Sequence, residues 1–168
     1  MTRSILRPPL FDRLASARRV LIAGAGGGFD VFAGLPLFFA LRAQGKDAYL
    51  GNLSFSYLGG TACEWLAPGL ARVDARTDGE AQYFPEKYLC AWLETQGVST
   101  SVFCFEKRGV VPLRDAYALL VARLDLDAIV LIDGGTDILM RGDEAGLGTP
   151  AEDMVSLAAV AGLPAVPT

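Results

Sequence analysis

Arg19-Val-Leu-Ile-Ala-Gly24 is the segment that most restricts the fold: a β-branched and aliphatic run that closes on Gly24, Gly26, Gly27 and Gly28, with Asp30 just beyond. A strand that is apolar on both faces belongs inside a sheet covered on both sides. A glycine turn followed by a helical pattern is how a parallel strand hands over to its crossover helix. The chain repeats this move. Asp47–Phe55, Ser99–Phe105 and Asp127–Asp133 read as second, third and fourth strands, and Leu70–Val73 as a short extra one. Asp30–Gln44, Pro85–Gln96 and Pro112–Leu124 read as helices. Pro36 lies inside the first of these and predicts a kink or a late start. Thr149-Pro-Ala-Glu-Asp153 opens a last helix, running to Ala161, with a threonine cap, proline at the first position and acids in the first turn. The stretch from Ser56 to about Pro85 reads as long and irregular, and loops of that length are usually functional or mobile. The expectation is one three-layer, Rossmann-like α/β domain over residues 1–168. Its mainly parallel sheet would have four or five strands, with helices on both faces.

Composition narrows the function classes. With 52 % apolar residues, 168 residues can bury a sizeable core. A net charge of −4 argues against nucleic acid and against anionic lipid as partners. The chain has no histidine, which removes Ser-His-Asp and Cys-His mechanisms and makes a structural zinc site improbable. Cys63, Cys90 and Cys104 form no C-x-x-C pair, and Cys90 and Cys104 read as reduced core residues. There is no apolar leader behind the first residues, and Val20–Leu41, the longest nearly uncharged stretch, is broken by Asp30, Pro36 and glycines. A cytoplasmic protein with no membrane span is expected.

Two loops carry the candidate chemistry, both at the carboxyl ends of strands, where α/β sheets bind ligands. In Gly24-Ala-Gly-Gly-Gly-Phe-Asp30 the closely spaced glycines let backbone N–H groups approach an anion, and the next helix adds its dipole. The dinucleotide fingerprint is incomplete, since Phe29 stands at the third glycine and the second strand ends at Asn52, Leu53 and Ser54 rather than on an acid. No Gly-Lys-Ser/Thr follows either, so this is not a Walker loop. A plain structural reading, a tight turn serving helix–strand packing, also stands. In Asp133-Gly-Gly-Thr-Asp137, two carboxylates and a hydroxyl in one loop suit Mg2+ or sugar hydroxyls, though both acids can equally cap turns. Arg141 reads as counter-charge to Asp143, Glu144 and Asp153. Lys107 or Arg108, beside Glu106 on the same rim, reads as an anion holder or as part of a solvated loop. Glu64 and Trp65 read as a lid or as a loop anchored by a buried Trp.

On these residues the chain resembles a prokaryotic family catalogued as domain of unknown function 1152. The likeness rests on Val20–Asp30, on Gly34-Leu-Pro-Leu37, and on Asp133–Glu144 through Gly146–Pro150 and Glu152–Met154. The resemblance implies a Rossmann-like fold, two loops that belong to one feature, and members that continue well past this chain. It implies no activity.

The leading hypothesis is an enzyme that binds a small anionic metabolite or nucleotide. The backbone of Gly26–Gly28 would hold the anion, and Asp30, Asp133 and Asp137 would hold Mg2+ or ligand hydroxyls. Gly24, Gly134, Gly135 and Thr136 complete the ligand loops. Acid–base work would fall to Asp133 or Asp137, if neighbouring acids raised its pKa. The alternative is a non-catalytic small-molecule-binding or assembly module. An edge with unpaired backbone also suggests a homo-oligomer. Strand order separates two geometries. In the order 3-2-1-4, the favoured one, the first and fourth strands are neighbours, and Asp30 and Asp133 place carboxylates within about 10 Å. In the order 2-1-3-4 the third strand intervenes, with Glu106–Arg108 between the loops.

Overall fold

The computed structural model describes residues 8–79, 83–146 and 148–164. Outside them lie the extreme N-terminus read for a leader, the end of the polar run 74–82, Leu147 of the family-like block, and the last four residues.

A mixed α/β fold results, with one sheet of six strands. β1 (Arg19–Gly24) and β6 (Ala128–Ile132) are parallel neighbours, and β2 (Asp47–Leu53) flanks β1 on its other side. β5 (Val102–Phe105) runs parallel to β2. β4 (Leu70–Val73) and β3 (Glu64–Ala67) then extend that side of the sheet in antiparallel fashion. The full order β3-β4-β5-β2-β1-β6 contains the favoured 3-2-1-4 arrangement of the four main strands. Among the described residues the sheet has six strands rather than four or five: β4 is the expected short strand Leu70–Val73, and β3 is the one not expected. The extra pairing lies within the stretch expected to be irregular, where Pro68 and Gly69 (φ 84°) turn β3 back into β4. Trp65 is consequently 44 % exposed on an edge strand and is not a buried anchor, and Glu64 pairs with Arg72 at 2.8 Å.

β1 shows why the sheet is central. Val20 and Ile22 join a cluster with Val31 of α2 (Asp30–Ala33), Phe38 and Leu41 of α3 (Leu35–Ala43), and Leu89 and Leu93 of α4 (Pro85–Thr95). Leu21 and Ala23 join a second cluster with Leu113, Tyr117 and Leu120 of α5 (Val110–Leu124) and Ala159 and Val160 of α6 (Pro150–Ala161). Alternate residues of one strand thus feed two cores, as a period of two requires. The sixth helix, α1 (Pro9–Leu14), precedes β1 and adds Leu14 to the first cluster. The expected helix 30–44 is divided at Gly34, with Pro36 in the first turn of the second piece, where its missing N–H costs nothing. Asp127 accepts backbone N–H bonds from Arg18 and Arg19 at 2.9–3.0 Å, which ties the start of β1 to the start of β6.

Candidate site at the carboxyl ends of β1 and β6

β1 and β6 pair in register to their last residues, Gly24 opposite Ile132, and Ala25 N–H continues the ladder to Ile132 O at 2.8 Å. The two loops therefore leave from adjacent points at one end of the sheet. The close approach expected for the 3-2-1-4 order follows: ligand oxygens of Asp30, Asp133 and Asp153 all lie within 4.8 Å of one another.

Asp153 comes from the first turn of α6, and the residue that admits it is Gly26. A Cβ on Gly26 would stand 2.4 Å from Asp153 Oδ1 and 2.8 Å from Asp30 Oδ2. Ser156, one turn further along α6, donates to Ala25 O at 2.7 Å and pins the helix to the same loop. Asp153 is 2 % exposed, and its Oδ1 has no hydrogen-bond partner among the described residues. Burial, reinforced by Asp133, Asp30 and Asp137, pushes its carboxyl up to about 6. Asp30 is also raised, chiefly by burial and further by Asp133, against the N–H groups of Gly26, Gly134 and Gly27, which pull it down.

Those N–H groups change the part played by the glycines. Gly26 N–H donates to Asp30 Oδ2 at 2.7 Å, so the loop's own carboxylate occupies a donor that was expected to meet a ligand. Gly27 and Gly28 are left-handed (φ 97° and 61°), a conformation that favours glycine. Asn52, where a dinucleotide site would carry an acid, turns beneath the loop and donates to Gly28 O at 2.9 Å and to the fully buried Glu86 at 2.8 Å.

Asp137 does not share the three-carboxylate spacing. Its Oδ2 accepts Thr149 N–H at 2.8 Å at the start of α6, and that bond holds its carboxyl below the usual range. It acts as the cap that orients the helix bearing Asp153. Asp133 Oδ1 takes Gly135 N–H at 2.7 Å, and Gly134 packs against Asp30. Thr136 precedes a short helical turn, Asp137–Leu139. Lys107 is drawn to Glu152 on α6 rather than left open to an anion, and Arg108 pairs with Glu106 at 3.0 Å. Glu144 is held by the backbone N–H groups of Arg141 and Gly142 at 2.7 and 2.8 Å, and among the described residues the Arg141 side chain forms no ion pair with it. Burial drives the Cys90 thiol up to about 12 and Cys104 upward as well, so neither is an activated nucleophile.

The sequence reading missed Asp153 as a ligand because acids in the first turns of a helix ordinarily answer the helix dipole. A signal was present. Asp153, Ser156 and Val160 follow the i, i+3, i+7 spacing of one helix face, so two polar side chains sit on the buried stripe.

A family model described as a protein of unknown function (DUF1152) matches residues 61–166. The match contains Asp133 and Asp153, and the glycine loop with Asp30 precedes it. No curated protein and no solved structure matched the chain.

Proposed function

We propose that this chain, which belongs to the DUF1152 family, is an enzyme that binds a small phosphorylated or nucleotide-like ligand through Mg2+ held by Asp30, Asp133 and Asp153. One observation carries the reading: a buried carboxylate oxygen of Asp153, without a partner among the described residues, lies in a group of three carboxylates drawn from three separate segments of the chain. Like charges packed so closely are costly unless a proton or a cation sits among them. Oxygen ligands at this spacing suit a small hard cation that keeps some of its waters. Bound there, the cation would polarise a phosphate oxygen and neutralise charge developing on it. With Gly26 N–H already satisfied by Asp30, the cation rather than the glycine backbone recruits the anion.

Strand order and the two helix-covered faces support the finer reading of a three-layer, Rossmann-like domain, with the ligand at the β1/β6 switch point. Three free cysteines fit a reducing, cytoplasmic setting. Among the described residues no helix is long and apolar enough to cross a membrane.

The test is a thermal-shift screen of phosphorylated metabolites with and without Mg2+, followed by chemical analysis of every hit. Mg2+-dependent stabilisation with conversion of the ligand is expected. A hit recovered unchanged makes the protein a binding module instead. Stabilisation indifferent to Mg2+ and to Asp133→Asn removes the reading.

A further inference from the structure

The carboxylates account for one flank of the glycine loop, and the other flank is aromatic. Phe29, Phe55, Tyr57 and Tyr83 are all exposed there, Tyr57 by 83 %. Single exposed aromatics are ordinary, but these converge on one place. A Cβ on Gly27 would meet the Phe55 ring at 2.7 Å, and one on Gly28 would meet the Tyr83 hydroxyl at 2.9 Å. The rings of Phe29 and Tyr83 stand edge to face at 5.8 Å. Phe55, Tyr57 and Tyr83 line a recess of about 570 Å3, in which Ser56 and Thr61 supply hydroxyls, and among the described residues none that line it is charged.

We propose that this recess takes the base of a nucleotide whose phosphates cross the glycine loop to the carboxylate group, an inference that rests on the cation-and-phosphate reading above. The topology provides the path. β2 lies beside β1 with Asn52 opposite Gly24, and Phe55 follows two residues after β2 ends. The base would lie over the carboxyl end of β2, the phosphates over the loop after β1, and the cation between β1 and β6. Uncharged walls suit a neutral ring and give a phosphate nothing to pair with. Aromatic faces stack on any base, worth roughly tenfold to a hundredfold in affinity. Ser56 donates its hydroxyl to Glu86 at 3.1 Å and Thr61 donates to Leu58 O at 2.8 Å, so each offers a lone pair to an N–H on the polar edge of the ring.

Calorimetric titration of the full chain in Mg2+ with ATP, GTP, CTP, UTP, inorganic tripolyphosphate and adenosine tests this. At least one nucleotide is expected to bind about tenfold or more tighter than tripolyphosphate. Phe55→Ala and Tyr57→Ala should each reduce that nucleotide toward the tripolyphosphate level and leave tripolyphosphate binding unchanged. Tyr57 is exposed enough for its removal to spare the fold. If tripolyphosphate binds as well as every nucleotide, the base recess is overturned and the cation site stands. If adenosine or a nucleotide binds without Mg2+ and tripolyphosphate does not bind, the recess stands and the cation reading falls. Binding of none of them overturns both.

Discussion

Gly26 and Asp153 share a single point of close approach, and substituting either one tests the site at residue scale. Gly26→Ala places a methyl group where Asp153 Oδ1 and Asp30 Oδ2 now lie. The carboxylates must then separate, so Mg2+ affinity should fall at least tenfold in calorimetry. Overpacking at such a contact should also cost about 1–3 kcal/mol in urea unfolding. Unchanged Mg2+ affinity in that variant would show that the carboxylates do not act together. Asp153→Asn keeps the shape and removes the charge. In chelator at pH 7.5 it should be more stable than the parent, because a carboxylate raised to about 6 is held charged there at a cost. The same variant should lose its response to Mg2+.

At the scale of elements, α6 matters most, because it carries the third carboxylate. Three contacts place it: the cap from Asp137 to Thr149, the Lys107–Glu152 pair, and Ser156 on Ala25 O. Ser156→Ala leaves a buried carbonyl without its donor and should cost about 1–3 kcal/mol of stability. If the helix acts only by positioning Asp153, Mg2+ binding in this variant weakens yet stays pH-dependent, whereas Asp153→Asn abolishes both. Asp137→Asn separates the two roles open to that residue. A weakened cap should lower Mg2+ affinity modestly, while a direct ligand role would remove binding as completely as Asp153→Asn does.

For the whole molecule, the raised Asp153 makes stability depend on pH in a definite direction. Folded, its pKa is about 6 against an ordinary 3.8, so between these values the folded chain holds the extra proton. That contribution is fully present below about pH 4 and is lost as pH rises through 6, on the order of 2–3 kcal/mol for this one group. Urea unfolding of the parent and of Asp153→Asn in chelator, at pH 4.5, 6 and 7.5, should show a difference that grows with pH in favour of the variant. Mg2+ competes with that proton. Its affinity should rise through pH 6, and calorimetry in buffers of different ionisation enthalpy should detect proton release. A pH-independent affinity would mean that the cation binds away from Asp153.

What the sequence determined by itself was local: which runs are apolar with no polar break, where glycine and proline interrupt them, and which acids stand at strand ends. The four main strands, the division of the 30–44 helix and the start of α6 at Thr149-Pro150 all follow from such signals. Of the β3–β4 hairpin, β4 was legible at Leu70–Val73, but β3 was not, because a four-residue strand has no periodicity to separate it from loop and its pairing is antiparallel in an otherwise parallel setting. The two loops were legible as a pair only on the assumption of a strand order, and it was long-range pairing of β1 with β6 that decided it. The third carboxylate depended on tertiary structure altogether. Asp153 is 20 residues from Asp133 and 123 from Asp30 along the chain. Only the packing of α6 against a glycine without a side chain brings its buried oxygen to the others. An acid's place in sequence sets its charge and its local cap, but its pKa and its partners are set by what surrounds it after the sheet has closed.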